Sequence, residues 1–353
     1  MPTTTQTLLQ KYEESKQSNP KLRIRDHAKL LGVSEAELLA TGIGKNVSLL
    51  EGDFKELLKE IHTMGRVMAL TRNDDCVHER KGVYNNVSFD NHVGLVLDPE
   101  IDLRLFMNNW KYGFSVDENG RLSFQFFDKS GEAVHKIYLT ENSDLKSWSH
   151  LKSLYEAKNQ QQPIITEAYM PPPEEKPDEE IDVNSFQTAW KNMTDTHQFF
   201  GILNDHGLTR KQALRLSPKG FVNEVPNDTV IKILEQCSLQ QVPIMIFVSS
   251  RGCIQIHSGE INKLVQTGPW FNILDQELNL HLRSDAIHSS YIVRKPSEDG
   301  IITSLELFDN QGKMIVQFFG KRKPGIPEIE GWRGLVKSYL EGINTGVIVE
   351  SGN

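Results

Sequence analysis

The chain is written twice. "VMALTRNDDCVHERKG" at 67–82 matches "IMIFVSSRGCIQIHSG" at 244–259, which sets Cys76 on Cys253 and Gly82 on Gly259. "LDPEIDLRLFMNNWKYGFSV" (97–116) matches "LDQELNLHLRSDAIHSSYIV" (274–293). "FFDKSGEAVHKIYL" (126–139) matches "LFDNQGKMIVQFFG" (307–320), and "WSHLKSLY" (148–155) matches "WRGLVKSYL" (332–340). Earlier, "LGVSEAELLATGIG" (31–44) resembles "HGLTRKQALRLSPKG" (206–220). Matched segments in one order along nearly the whole chain demand two copies of one fold. Between the copies lies "MPPPEEKPDEE" (170–180). Its prolines stiffen the backbone and its acids repel one another, so it reads as an extended linker. The expected organisation is an N-terminal repeat over 1–165, a linker over 166–182 and a C-terminal repeat over 183–353.

Each copy opens with helical periodicity. "DHAKLLGVSEAELLAT" carries apolar residues at helical spacing, with Ser34 and Glu37 placed as a capping box. "THQFFGILNDHG" ends at Gly207, a C-cap glycine. After "DFKELLKEI" or "DTVIKILEQC" the period becomes two. "IDLRLFMN", "GRLSFQFFD" and "GKMIVQFFG" read as strands, with "ENG", "KSG" and "NQG" as turns. A helix bearing Trp148 or Trp332 closes each copy. Helices, then consecutive strands, then a helix predict an α+β fold with two similar halves, each built on an antiparallel sheet. The alternation of a Rossmann fold is missing.

A chain of 353 residues suits two domains. The formal charge, 39 − 47 = −8, argues against nucleic acid as a main ligand, since phosphate neutralisation needs a basic surface. "MPTTTQTLLQKYEESKQ" lacks the basic and apolar regions of a signal peptide, and "VPIMIFV" (242–248) is about a third of a membrane span. A cytoplasmic protein without membrane insertion is expected. Cys76, Cys237 and Cys253 form no CxxC pair, so neither a disulfide framework nor covalent haem attachment is expected.

Duplication supplies an internal control. Residues kept in both copies, such as Cys76/Cys253, Asp128/Asp309, Gly131/Gly312 and Trp148/Trp332, serve the shared fold. Residues that differ are free to carry function. His197 aligns near Leu22, Arg210 with Glu35, Lys295 with Glu118, Arg104 with His281 and His78 with Gln255. A neutral imidazole is a good iron ligand, and Arg and Lys pair with carboxylates. Phe199, Phe200, Phe247 and Phe319 can line an apolar slot. The set suits a flat apolar ligand with a metal at its centre and carboxylates at one edge, which is haem. "GIGKN" (42–46) lacks the spacing of a phosphate loop, and "HERKG" is not a HExxH zinc motif.

"DTHQFFGILNDHGLTRKQAL", "ALTRNDDCVHE", "DLRLFMNNW" and "FFGKRKPGIPE" resemble the cytoplasmic haem-handling proteins of Gram-negative haem-uptake systems, the HemS/ChuS type. The resemblance implies two α+β halves and a haem cleft reached by both. It implies that His197 is the axial iron ligand and that Arg104 approaches the opposite haem face. Arg210 and Lys295 match basic residues near the propionates. Phe247 matches a pocket aromatic, and Phe319 lies where some members have tyrosine. His78 matches a histidine linked to a second haem site.

The expected function is uptake-linked haem binding followed by oxidative ring opening with O2 and an electron donor, releasing iron: a haem-degrading monooxygenase. Arg104 has the catalytic role of stabilising negative charge as it develops on oxygen. The alternative is a non-catalytic haem carrier that takes haem from an importer and gives it to a haem-accepting protein. A third class, an interaction protein, predicts no haem affinity.

Overall fold

Ser34 starts a helix in the first half. Its hydroxyl accepts from the Glu37 backbone N–H (3.2 Å), and the Glu37 carboxylate accepts from the Ser34 N–H (2.9 Å). This box starts a new helix directly after Gly32 leaves the preceding one in the left-handed region, φ 68°. The helical stretch over 26–41 therefore holds parts of two helices, with the capping box at the start of the second. A computed structural model describes residues 4–171, 173–323 and 325–344. The extreme N-terminus, Pro172 of the linker, Pro324 of the "GKRKPG" turn and the last residues of the second repeat lie outside the described residues.

Two compact units emerge. The first comprises 1–73, 77–170 and 249–255; the second comprises 74–76, 171–248 and 256–353. The break at Met170/Pro171 falls within the expected linker. The units are nevertheless not contiguous halves, because each holds a short segment from the other repeat. Sequence periodicity carries no signal for that exchange.

In chain order the first repeat contains α1 (Thr4–Ser18), α2 (Ile24–Leu31), α3 (Glu35–Ala40), β1 (Val47–Leu50), α4 (Phe54–Glu60), β2 (Gly65–Arg72), β3 (Cys76–Gly82), β4 (Val87–Asp90), β5 (Val93–Leu97), β6 (Asp102–Phe106), β7 (Tyr112–Glu118), β8 (Arg121–Phe127), β9 (Ala133–Ser143) and α5 (Leu145–Tyr155). The second contains α6 (Val183–Lys191), α7 (Gln198–His206), α8 (Arg210–Arg215), β10 (Val222–Val225), α9 (Thr229–Leu239), β11 (Ile244–Ser249), β12 (Cys253–Gly259), β13 (Leu264–Thr267), β14 (Trp270–Leu274), β15 (Leu278–Arg283), β16 (Ser289–Ser297), β17 (Gly300–Phe308), β18 (Met314–Gly320) and α10 (Glu330–Asn344). Element for element the orders correspond, so the duplication seen in sequence is a duplication of structure. The strand expected over 101–108 is shorter: β6 stops at Phe106, and Met107–Asn109 turns as a 3-10 helix.

In the first unit the strands run β1-β7-β8-β9-β2-β3, all antiparallel, beside a β4-β5-β6 meander. The second unit repeats this as β10-β16-β17-β18-β11 and β13-β14-β15. One face of each sheet is dry. In the second unit Ile246, Ile292, Leu305, Leu307 and Phe318 pack with Ile233 and Leu234 of α9 and Trp332 and Val336 of α10. The Trp332 indole N–H donates to Thr303 O (3.0 Å), which anchors the closing helix of the second copy to β17. In the first unit Val67, Phe124, Phe126 and Ile137 pack with Leu57, Leu58 and Trp148. Burying each such side chain contributes about 1.5–3 kcal/mol. The opposite sheet faces also differ between the two copies.

The kept turn residues do the same work in both copies. Asp128 Oδ1 accepts from the N–H groups of Ser130 and Glu132, and Asp309 Oδ1 from those of Gln311 and Lys313. Gly131 (φ 80°) and Gly312 (φ 76°) supply the left-handed residue that each turn requires. Among the described residues no helix is long and apolar enough to cross a membrane.

Candidate functional site

The second face of the second unit's sheet is polar at its centre. Register places Tyr291, Val293 and Lys295 of β16 on the same face as Ser304 and Glu306 of β17. Gln317 and Phe319 of β18 share it, as do Met245 and Phe247 of β11. Alternation in "SLELF" therefore aims Glu306 away from the dry core that holds Leu305 and Leu307. The helices α6–α8 cover the Val293 end of this face through Phe186, Trp190, Phe199 and Leu203.

Glu306 is the hub. It is fully buried and accepts two hydrogen bonds from Arg210 of α8, Nε and Nη2 each at 2.8 Å. Its Oε1 also accepts from Lys295 Nζ (2.8 Å), Ser304 Oγ (2.8 Å) and Gln317 Nε2 (3.0 Å). Burial opposes ionisation of Glu306, but the Arg210 and Lys295 charges outweigh it and hold the carboxyl well below the usual range. Burial pulls the Lys295 ammonium down to about 8, with Arg210 adding to the effect and Glu306 resisting it. The two expected basic residues are thus brought together, yet they are unequal. The Lys295 side chain is 5 % exposed and Arg210 28 %.

The expected aromatics flank this hub. Phe247 and Phe319 meet edge to face, 5.0 Å between centroids, and both are half-buried, as are Met245 and Gln317. They form a partly open apolar shelf beside the cations. Phe199 lies under both cations, 5.2 Å from the Arg210 guanidinium and 4.7 Å from Lys295 Nζ. Phe200 instead is 71 % exposed.

His197 stands at the N-cap of α7, two residues before Phe199. Its side chain is 92 % exposed. Asp195 Oδ1 accepts from both the His197 backbone N–H (2.7 Å) and Nδ1 (2.6 Å). The Thr194 and Asp195 N–H groups donate to Gln198 Oε1, at 2.9 and 3.3 Å, and the Glu298 N–H donates to Thr194 O (2.8 Å). An exposed histidine is therefore held by an anchored loop, its Nε2 edge pointing out.

Arg104 and His78 belong to the first unit. In β6, Leu103 and Leu105 are buried, and Arg104 lies on the other face, where it pairs with Asp102 and donates to Leu103 O (3.2 Å). His78 is completely buried in β3, its Nδ1 3.3 Å from Gln255 O. A ligand at His78 requires that core to open. The cysteines are buried thiols; desolvation pushes Cys237 and Cys253 up to about 12 and Cys76 higher still, so thiolate ligation is disfavoured. Among the described residues no cluster of His, Cys, Asp and Glu is placed to hold a bare metal ion.

The first unit builds the same kind of triad with the charges redistributed. Glu35, which aligns with Arg210, is buried and accepts from Lys136 Nζ (2.6 Å) and from Arg72. Lys136 aligns with Gln317, and Gln125 with Glu306. Each copy thus buries one carboxylate between two cations, contributed by different strands and helices. The paired signs at 35 and 210 signal the exchange, whereas Glu306 itself escapes notice as one acid in a leucine-rich strand.

The haemin-degrading HemS.ChuX domain matches residues 32–155 and again 207–339, both copies of the repeat. The chain belongs to the HemS.ChuX family. It is 39% identical to the hemin transport protein HmuS of Yersinia pestis over 336 residues, 93% of this chain and 95% of the relative. The structure of apo-PhuS, a heme-binding protein from Pseudomonas aeruginosa, matches with TM-score 0.93 and 41% identity over 95% of this chain and 99% of that one. ChuS, an E. coli heme oxygenase, matches with TM-score 0.86 and 34% identity over 94% and 99%. These neighbours share the duplicated α+β fold.

Proposed function

We propose that this protein binds haem through His197 and opens the ring oxidatively, with O2 and an external electron donor, releasing iron. The observation that carries the reading is the second unit's combination of an exposed, anchored imidazole with a half-open Met245–Phe247–Phe319 shelf and two cations. His197 Nε2 has the lone pair that iron needs. The shelf offers an apolar bed for a flat ring. Arg210, the more exposed cation, is the one able to turn towards a propionate, while Lys295 stays on Glu306 and keeps the hub assembled. Bound haem supplies the reactivity towards O2, and the protein supplies orientation and electrostatics. Arg104 is assigned the stabilisation of negative charge on oxygen; as a permanent cation it needs no proton to act.

Support for turnover rather than carriage comes from the family's haemin-degrading domain and the ChuS likeness, and support for carriage from the transport name of HmuS. One optical experiment separates them. Haemin is added, the Soret band recorded, and a reductant supplied in air with catalase present. Decay to an open-chain tetrapyrrole spectrum despite catalase is expected. A band that survives makes the protein a carrier that loads from an importer and delivers to an acceptor. No Soret complex removes the haem reading; an unchanged spectrum in His197→Ala removes His197 as the ligand.

A further inference from the structure

We infer that Asp195 is a positioning residue for His197, setting the strength and direction of its bond to iron; this rests on the proposal that His197 ligates haem. In the neutral ring only one nitrogen carries a proton. With Nδ1 2.6 Å from Asp195 Oδ1, that proton lies on Nδ1 and Nε2 keeps its lone pair. The Asp195 carboxylate is itself fixed. It receives the His197 backbone N–H at 2.7 Å. Arg322, which pairs with Asp299 at 3.2 Å, adds a favourable charge.

Three consequences follow from that geometry. The ring cannot rotate freely although its side chain is almost wholly exposed. The tautomer with the outward lone pair is selected. A negative oxygen on Nδ1–H pushes electron density into the ring and makes Nε2 a stronger donor, as carboxylate partners do for metal-ligating histidines generally. Asp195 also closes a tight turn into α7, so a purely architectural role is the competing explanation.

The test separates the two. Asp195→Asn keeps an oxygen for the His197 backbone N–H and removes the charge; Asp195→Ala removes both. Haemin is titrated into each variant and into His197→Ala, and the iron–histidine stretch of the ferrous complexes is read by resonance Raman. We expect Asp195→Asn to move that stretch to lower frequency with the turn intact, and Asp195→Ala to weaken haemin binding about 10–100-fold. An unmoved stretch in Asp195→Asn, with affinity within about twofold of the parent, overturns the inference while leaving haem ligation standing. If His197→Ala also leaves the spectrum unchanged, ligation by His197 fails and the inference falls with it.

Discussion

Replacing Glu306 by glutamine tests the hub directly. The change keeps volume and hydrogen-bonding oxygen but removes the only negative charge between Arg210 and Lys295. Arg210 is partly exposed and recovers water, so the loss falls on Lys295, which is 5 % exposed. Removing one member of a buried pair typically costs about 3–5 kcal/mol. A ceiling follows from protonation. An uncompensated Lys295 escapes the penalty by shedding its proton, and taking a lysine of pKa ~10.4 to neutral at pH 7 costs about 5 kcal/mol at 1.36 kcal/mol per unit. The expected loss is thus about 3–5 kcal/mol, read by urea unfolding with emission from Trp190, which packs 4.6 Å from Phe199. The sign of the pH dependence is fixed as well. In the variant the folded Lys295 binds its proton more weakly than the unfolded chain, so stability rises with pH up to the unfolded lysine value. Adding Lys295→Met to Glu306→Gln should recover most of the loss. A single variant that loses less than about 1 kcal/mol, or a double variant no better than the single, refutes the view of Glu306 as counter-ion to both.

The first unit's triad predicts acid sensitivity. Burial opposes ionisation of Glu35, but Arg72 and Lys136 outweigh it and bring the carboxyl from 4.5 to about 2. A depressed carboxyl contributes stability above its unfolded value, about 3 kcal/mol here, and that contribution disappears as pH falls from about 4.5 towards 2. Acid unfolding of Glu35→Gln should lack this component, which circular dichroism across that range measures. The equivalent turn glycines should respond differently to alanine. At Gly131 a Cβ stands 2.2 Å from Ser34 Oγ, the cap of α3, so left-handed strain and cap loss combine to about 2–3 kcal/mol. At Gly312 the obstacle is the flexible Lys211 chain at 2.8 Å, leaving about 1–2 kcal/mol of strain. Equal losses in thermal unfolding would show that Ser34 yields freely.

Local rules account for what sequence reveals of this fold. The Ser34–Glu37 box, the left-handed Gly207 (φ 63°) and the Asp128 and Asp309 turns rest on neighbours within four residues. The closing tryptophans are legible because duplication repeats them. Long-range electrostatics is not. Glu306 reaches Arg210 across 96 positions and Glu35 reaches Lys136 across 101, and nothing in either local pattern names the partner. For the same reason Lys295 looks like a surface lysine until β17 places Glu306 beside it. His197 stands out because the repeat has no histidine at the aligned position; Asp195, whose carboxylate meets its Nδ1, lies only two residues away, but an Asp before a helix reads first as a cap.

The interior of the first unit shows how far two copies of one fold can diverge without changing it. There Tyr84 Oη donates to His135 Nε2 (2.6 Å), His135 Nδ1 meets Thr71 Oγ1 (2.8 Å), and Thr71 donates to Cys253 Sγ (3.4 Å). All four are buried, and desolvation brings His135 down to about 3, so the ring stays neutral at physiological pH. The aligned positions in the second unit are Ile261, Val316, Val248 and Cys76, a dry cluster in its main core. An unsatisfied polar group in such a place costs about 1–3 kcal/mol, so Tyr84, His135 and Thr71 depend on one another. Backbone and register accommodate either solution, and a mixture of the two leaves a buried polar group unpaired. Divergence in this protein therefore proceeds by whole networks, here and at the two ion triads. A basic residue that looks newly gained at an aligned position, such as Arg210 opposite Glu35, is best read with the partner that had to change alongside it.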